Sequence, residues 1–285
     1  SFIPVIIGGA YAWGNTSHFS FALFFDMLFA SMAIQAGTNL FNEYYDYKRG
    51  LDTAESVGIA GAIVHDGVSP RFVLNCALVF YFLAALLGLY ICAHSSWWLI
   101  LIGGFCMLIG FLYTGGPYPI SASPFGEIFA GGFLGTGVIC ISYFLQTSAV
   151  TWQCVLVSVP TLILIGLILT SNNLRDRVGD EKNGRKTLVI LLGHQKSVKF
   201  MTIMLAVCYF WPLVLMLVLG MSPAVMLCLF SITPAMKAVK IFTPENQTPT
   251  EMMPAMKYIA QTNTAYGLFY TIGLLINGYY SIMPL

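Results

Sequence analysis

Charged residues are scarce in this sequence, and their scarcity restricts the class of protein that it can encode. Only 9% of the 285 residues are charged, whereas 58% are hydrophobic. A soluble domain carries about 25% charged residues, so this chain could not cover a soluble surface. The 13 basic and 12 acidic residues leave a net charge of +1. Nucleic-acid binding is therefore not expected, because no basic excess is available to meet a phosphate backbone.

Paired cysteines and a basic leader are also missing. The seven cysteines form no Cys-x-x-Cys pair and lie in or beside apolar stretches. This pattern is typical of apolar packing residues rather than of a zinc site or a disulfide framework. No positively charged leader precedes the first apolar run, so we predict no cleavable signal. Residues 2–13 are too short to cross a bilayer alone, and we expect that a few residues are missing before Ser1.

Long apolar runs fill the chain instead, and they predict an all-α polytopic membrane protein. We expect a single domain over residues 1–285, with about nine transmembrane helices around a central cavity that opens at the cytoplasmic side. A complete crossing requires about 20 residues. The predicted spans are approximately 2–13, 20–45, 72–93, 97–115, 125–147, 151–174, 198–219, 222–241 and 258–280.

The basic residues predict how the spans are oriented in the membrane. All Lys and Arg residues lie in or beside three connections: the second-to-third, the sixth-to-seventh and the eighth-to-ninth. Nine spans place these three connections on one side of the membrane, and the positive-inside rule makes that side cytoplasmic. We therefore predict a multi-pass protein of the inner (cytoplasmic) membrane, with the N-terminus inside and the C-terminus outside.

Two polar clusters interrupt the apolar pattern at the predicted cytoplasmic side. Each has members three or four residues apart, which places them on one face of a helix. The second span ends in Gln35, Asn39, Asn42 and Asp46, and the sixth in Asn172, Asp176 and Asp180. Both clusters contain Asn-x-x-x-Asp, which indicates a weak internal repeat of two halves, about 1–115 and 124–241.

Carboxylates that face one cavity repel one another unless a cation lies between them. Mg²⁺ takes oxygen ligands, commonly one or two carboxylates together with substrate phosphates, and basic residues at the rim suit the remaining phosphate charge. The clusters therefore predict a Mg²⁺–diphosphate site. Two alternatives stay open at this point: solvated loops with incidental acids, and a cation-coupled transporter, which also places acids and amides inside a helical bundle.

The strings around these clusters resemble the UbiA superfamily of intramembrane prenyltransferases over essentially the whole chain. Asn42-x3-Asp46-x5-Asp52 resembles the first Asp-rich motif of that superfamily, and Asp176-x3-Asp180 resembles the second. The finer pattern resembles the branch that prenylates 1,4-dihydroxy-2-naphthoate in menaquinone synthesis. It is carried by NLFNEYYDYKRGLD (39–52), YTGGPYP (113–119), FGE (125–127) and NNLRDRVGDEKNGRKTL (172–188).

Two positions depart from related patterns. Glu43 stands where the naphthoate branch usually has Asp, which keeps the charge, lengthens the reach and leaves a metal role open. Pro117 follows Tyr113 by four residues, where other branches have Lys in a Tyr-x3-Lys motif. The second departure argues against the hydroxybenzoate branch.

The resemblance implies a set of catalytic and metal-binding residues. Two Mg²⁺ ions would bridge the diphosphate, one held by Asn42, Asp46 and Asp52 and the other by Asp176 and Asp180. Asn172 would lie beside the second ion, as a ligand or next to one. Four basic residues near the motifs have two alternative interpretations: they contact the diphosphate, or their charges only set the membrane orientation. They are Lys48, Arg49, Arg175 and Lys186.

The allylic cation and the acceptor have candidate residues as well. An aromatic face stabilises a cation, and the candidates near the motifs are Tyr44, Tyr45, Tyr47 and Tyr113. Residues 115–119, followed by Gly126 and Glu127, would shape the acceptor pocket or form a tight turn between helices.

The implied reaction transfers a polyprenyl group from an allylic diphosphate to 1,4-dihydroxy-2-naphthoate with loss of CO₂, which gives demethylmenaquinone. The implied partners are polyprenyl diphosphate, the naphthoate and membrane lipid, without nucleic acid or an obligate protein partner. A different aromatic acceptor, or an ion-coupled transporter, is the alternative function.

Overall fold

The described part of the chain is helical throughout. The computed structural model describes residues 2–51 and 61–282, with side chains as far as residue 279, and contains no β-strand in these ranges. The α-helices are α1 (Phe2–Trp13), α2 (Phe21–Lys48), α3 (Pro70–His94), α4 (Leu99–Thr114), α5 (Gly126–Ala130), α6 (Val138–Thr147), α7 (Trp152–Lys182), α8 (Leu188–Leu192), α9 (His194–Leu219), α10 (Ile232–Phe242) and α11 (Pro249–Ile282). A π-helical segment, Gly131–Gly137, joins α5 to α6, and a 3-10 segment, Pro223–Ser231, precedes α10.

Six of the described helical segments are long and apolar enough to cross a membrane, so the protein is a multi-pass membrane protein. They are Phe21–Lys48, Pro70–His94, Gly126–Thr147, Trp152–Lys182, His194–Leu219 and Pro223–Phe242. The apolar helices α1 and α4 are shorter, and α11 is not among the six. The all-helical membrane fold is confirmed, whereas the count of nine spans, the central cavity and its direction stay predictions.

The chain divides into two compact units. The larger unit contains Ser1–Phe24 and Pro124–Leu285, and the smaller unit contains Phe25–Ser123. The predicted first motif lies in the smaller unit and the second in the larger. The single-domain prediction and the predicted repeat of two halves remain predictions.

Buried tyrosines hold the helices of the larger unit together. Tyr266 and Tyr270 of α11 are fully buried, and their hydroxyls donate to the carbonyl oxygens of Cys208 and Val157, each at 3.1 Å. A hydroxyl away from water needs such a partner. These bonds therefore fix α11 against α9 and α7.

Glycines let the helix that begins at residue 126 approach α7 closely. A Cβ on Gly131 would lie 2.3 Å from the carbonyl oxygen of Leu162, and a Cβ on Gly135 would lie 3.0 Å from the Leu162 Cα. Small residues four apart are a common way for membrane helices to pack backbone against backbone. The contact continues at Gly166, whose Cβ would lie 3.2 Å from the carbonyl oxygen of Glu127. It therefore places Glu127 beside α7.

Tyr81 of α3 joins three helices of the smaller unit. Its hydroxyl shares a hydrogen bond with Thr38 Oγ1 of α2 at 2.9 Å and donates to the carbonyl oxygen of Met107 in α4 at 3.3 Å. The lack of side chains at Gly37 and Gly110 leaves room for the ring, because a Cβ at either position would lie 2.5–2.6 Å from Tyr81. This packing supports the part of α2 that precedes the first motif.

Candidate active site

The first motif occupies the last turns of α2. Asn42 and Asp46 lie one turn apart and are half-buried. The helix then ends because Gly50 adopts a φ of +70°: its N–H donates to the Tyr47 carbonyl at 3.0 Å, and the N–H of Leu51 donates to the Asp46 carbonyl at 2.9 Å. This pair of bonds is the Schellman ending of a helix. Asp52, the third predicted ligand, lies outside the described residues.

The second motif lies at the same kind of helix end. Gly184 has a φ of +77° and its N–H donates to the Glu181 carbonyl at 3.1 Å, while the N–H of Arg185 donates to the Asp180 carbonyl at 3.0 Å. Helix α7 therefore runs to Lys182, and Asp176 and Asp180 share one face of its last two turns.

The two helix ends share a sequence pattern in addition to the Asn-x-x-x-Asp spacing. Residues 46–50 and 180–184 both have the form Asp-x-Lys-x-Gly. Aligning these endings pairs Asn42 with Asp176, each one turn before the Asp that begins the pattern. The shared Asn-x-x-x-Asp spacing had instead suggested a pairing of Asn42 with Asn172. The backbone hydrogen bonds therefore shift the internal alignment of the motifs by one helical turn.

Each carboxylate of the second motif has a guanidinium partner. Arg175 Nε lies 2.6 Å from Asp176 Oδ1, and Arg175 Nη2 lies 2.5 Å from Asp176 Oδ2. Arg185 Nη1 lies 3.2 Å from Asp180 Oδ1. Arg185 was not predicted, since nothing in the sequence distinguished it from the other basic residues of this connection. The pairs balance two carboxylates that would otherwise repel each other.

These residues fit a Mg²⁺ ion that is bound partly by the protein and partly by a substrate. Asp176 and Asp180 supply the oxygen donors that Mg²⁺ prefers, and the ion commonly binds one or two carboxylates together with phosphate oxygens. In the two ranges that the structure describes, no group of three or more His, Cys, Asp and Glu side chains could hold a metal. Phosphate oxygens are ligands that Mg²⁺ commonly takes in addition to one or two carboxylates.

Two predicted diphosphate contacts have other partners in the structure. Arg175 also lies 3.3 Å from Met256 Sδ and 3.7 Å from Met253 Sδ of α11, which anchors its side chain within the larger unit. Arg49 donates to the carbonyl oxygens of Thr114 and Gly116. Diphosphate contact by these two arginines stays a prediction, as it does for the exposed Lys48 and Lys186.

Arg49 links two parts of the smaller unit that lie far apart in the sequence. Because it binds the carbonyls of residues 114 and 116, it holds the connection after Tyr113 at the end of α2. Its guanidinium carbon also lies 5.5 Å from the centre of the Tyr45 ring, and Lys48 Nζ lies 5.8 Å from the centre of the Tyr44 ring. Two candidate aromatic residues for the allylic cation thus already contact cations of the chain.

Glu43 has a structural partner for each carboxylate oxygen. Oε2 accepts a hydrogen bond from the backbone N–H of Gly61 at 2.9 Å, and Oε1 accepts one from Ile63 at 3.0 Å. The side chain is buried. The sequence left a metal role for Glu43 open. In the structure, Glu43 instead holds residues 61–63 against α2. Sequence could not reveal this, because both partners are backbone groups.

A buried pair beside the second motif was also missed. Asn173 Nδ2 donates to Glu127 Oε1 at 2.8 Å, and the two residues are 7% and 6% exposed. Glu127 Oε2 is buried and has no hydrogen-bond partner within the described ranges. The predicted acceptor pocket had included Glu127 but not Asn173. Two adjacent amides in an apolar helix were the available signal, since such groups need buried partners.

The fold and this site define a class of protein: a multi-pass helical membrane protein with carboxylates at the ends of long helices, suited to a divalent cation and a phosphate ligand. The chain belongs to the UbiA prenyltransferase family, whose model matches residues 1–276. This confirms the resemblance found in the motifs and makes the protein an enzyme that transfers prenyl groups. The ion-coupled transporter loses its support.

Relatives and solved structures agree with the family. The chain is 50% identical over 277 residues to a 1,4-dihydroxy-2-naphthoate octaprenyltransferase of Bacillus subtilis, covering 97% of this chain and 88% of the relative. A Mycobacterium tuberculosis protein of the same name is 34% identical over 75% of this chain and 73% of its own. The structure of a UbiA homolog from Archaeoglobus fulgidus bound to DMAPP and Mg²⁺ shares the fold, with a TM-score of 0.61, 14% identity and coverage of 100% and 96%.

Proposed function

We propose that this protein transfers a polyprenyl group from an allylic diphosphate to 1,4-dihydroxy-2-naphthoate, with loss of CO₂, in menaquinone synthesis. The observation that carries the proposal is the 50% identity to the Bacillus subtilis octaprenyltransferase over nearly the whole chain. The motif carboxylates at the ends of α2 and α7 support it, because the reaction requires a diphosphate leaving group to be held and its charge neutralised.

We propose the following division of labour for the diphosphate. Asn42, Asp46 and Asp52 would hold one Mg²⁺, and Asp176 and Asp180 would hold a second. Bound Mg²⁺ supplies Lewis-acid stabilisation of the charge that develops on the leaving diphosphate. The chain itself fixes where the motif carboxylates lie, because Gly50 and Gly184 end the two helices that carry them.

The arginines of the second motif would exchange partners when substrate binds. Arg175 and Arg185 now bind carboxylates, and a guanidinium pairs equally well with phosphate oxygens in bidentate geometry. Arg175 and Arg185 could therefore bind phosphate oxygens of a diphosphate beside Asp176 and Asp180, where a bound Mg²⁺ ion would take carboxylate oxygens. The exposed Lys48 and Lys186 stay proposed diphosphate contacts, each at the end of its own motif.

The segment after α4 supports an acceptor that loses its carboxyl group. Pro117 stands where other branches of the superfamily have a lysine, and it offers neither a charge nor a donor. A clamp on the acceptor carboxylate would stabilise the ground state more than the transition state when that group must leave. We therefore propose that 4-hydroxybenzoate, which keeps its carboxyl group, is a poor acceptor.

A competition assay tests the proposed function. Purified full-length protein would receive Mg²⁺, one polyprenyl diphosphate, and both acceptors with ¹⁴C in their carboxyl groups. We expect prenylated naphthalenediol, release of labelled CO₂ and little prenylated hydroxybenzoate. Label retained in a prenylated naphthoate, or a preference for hydroxybenzoate, would instead support another aromatic acceptor.

A further inference from the structure

Glu127 is a buried carboxyl group that the proposed metal site does not use. It lies at the start of the helix beginning at residue 126, beside α7, and is 6% exposed. Asn173 occupies Oε1 at 2.8 Å, whereas Oε2 has no hydrogen-bond partner among the residues that the structure describes. Buried carboxyl oxygens nearly always have a partner, because leaving one without costs free energy. The free position on Oε2 therefore indicates a ligand.

Glu127 lies close to the second motif. Its partner Asn173 precedes Asp176 by three residues and Asp180 by seven, so the three side chains share one face of α7. At 1.5 Å per residue, Asn173 lies about 4.5 Å along the helix axis from Asp176 and about 10 Å from Asp180. Glu127 thus lies on the apolar side of the carboxylates, next to the turn that carries Asp176.

Two other buried polar side chains on this stretch of α7 already have partners. Thr170 Oγ1 donates to the Gly166 carbonyl at 3.2 Å, and Ser171 Oγ donates to the Ile168 carbonyl at 2.6 Å. Both are bonds within α7 itself. Glu127, which packs beside this stretch, therefore keeps a buried oxygen that is ready to accept a hydrogen bond.

We propose that Glu127 Oε2 accepts a hydrogen bond from a hydroxyl group of the aromatic acceptor, and that Asn173 positions the carboxyl group for this contact. The proposal rests on the proposed function, in which Asp176 helps to hold the diphosphate. The allylic carbon is bonded to that diphosphate, and the acceptor ring must come within about 3–3.5 Å of it. A hydroxyl donor suits the carboxyl oxygen, whereas the carboxylate of the acceptor would be repelled by it.

Glu127→Gln tests the contact with minimal change of shape. Asn173 still donates to the remaining carbonyl oxygen, so the amide NH₂ group takes the place of Oε2 and can no longer accept from a hydroxyl. With Mg²⁺ and an unreactive diphosphate analogue bound, calorimetry should show acceptor binding weakened by about 10- to 100-fold. The Kd of the analogue itself should stay within about twofold of wild type.

Methyl ethers of the acceptor make the test specific for a hydroxyl. Wild-type protein should prefer the free hydroxyl over one of the two monomethyl ethers by at least about tenfold in kcat/KM, and Glu127→Gln should abolish most of that preference. Asn173→Leu should weaken acceptor binding by a smaller factor, since it removes only the positioning bond. Glu245→Gln, at an exposed acid, is the control and should behave as wild type.

Several outcomes would overturn the proposal. Unchanged acceptor affinity in Glu127→Gln would do so, and so would an unchanged preference for the hydroxyl. Equal rates of the wild-type protein with the hydroxyl acceptor and with both methyl ethers would also overturn the proposal, and this result requires no variant. Failure of the proposed function looks different: wild-type protein would prenylate another hydroxyarene, or would retain the carboxyl label. The Glu127 comparison is then run with that acceptor, and turnover of no hydroxyarene would reject both proposals.

Discussion

Asp176 and Asp180 differ in how far their carboxylates reach the surface. The side chain of Asp176 is 38% exposed, and that of Asp180 is 11% exposed. The carboxylate of Asp176 is the more accessible of the two, and so is its ion pair with Arg175. Asp176 is therefore the residue at which removal of one carboxylate most directly tests the proposed metal site.

Asp176→Ala should lower turnover by at least about 10²-fold, because a group that stabilises charge in the transition state is lost. Activity of wild-type protein should vanish with chelator and return with Mg²⁺. The measurement is steady-state turnover of purified protein with its thermal unfolding followed in parallel. Glu181→Ala is the matched control: Glu181 is an exposed acid on the same helix end, 3.9 Å from Arg177. Near-normal turnover in folded Asp176→Ala would exclude this metal site.

Glu43 should behave differently from the motif carboxylates. Glu43→Gln leaves one of two buried backbone N–H groups without an acceptor, which costs about 1–3 kcal/mol in the free energy of unfolding. Mg²⁺ affinity should stay unchanged, because both carboxylate oxygens already bind Gly61 and Ile63. Thermal unfolding and metal titration of the same sample measure both effects. A large loss of Mg²⁺ affinity with unchanged stability would identify Glu43 as a ligand instead.

At the scale of the element, the glycines that end α2 and α7 control where the motif carboxylates lie. A positive φ costs a residue with a Cβ about 1–2 kcal/mol. Gly184→Ala should therefore destabilise the helix end and reduce turnover, although a Cβ there would meet no atom within 4 Å. Gly88→Ala, inside α3 and equally open, should be neutral or slightly stabilising. Equal effects of the two substitutions in activity and unfolding assays would contradict this explanation.

The helices themselves were largely predictable from the sequence, and their polar ends were not. The sixth span was predicted to end near 174, whereas α7 continues to Lys182. Hydropathy marks where apolar residues stop, but Arg175–Lys182 are compatible with a helix and continue it until Gly184 ends it. The motif residues were found because their spacing is local. The partners of Asn173 and Glu43 could not be predicted because long-range pairing leaves no mark in one sequence. Arg185 was missed because nothing in the sequence distinguished it from the neighbouring basic residues.

At the scale of the whole molecule, α7 offers the clearest test of the predicted orientation. Its 31 residues extend about 46 Å, which exceeds the roughly 30 Å hydrocarbon core. Single cysteines at Ala149 and Lys182, both exposed, should therefore react with impermeant reagents from opposite sides. Lys182 should react from the cytoplasm, in a background whose native cysteines are replaced. Reaction of both from the same side would contradict the orientation.

The placement of the second motif also links metal binding to folding. A helix C-terminus carries about half a negative charge from its aligned peptide dipoles, so Asp176 and Asp180 add anions where the helix already disfavours them. A divalent cation that binds only the folded protein relieves this and stabilises it by about 2.7 kcal/mol at 100 times its Kd. The melting temperature should therefore rise with Mg²⁺ and diphosphate together, and Asp176→Ala should abolish most of the increase. A melting temperature that does not change when Mg²⁺ and diphosphate are added would show that this helix end binds neither.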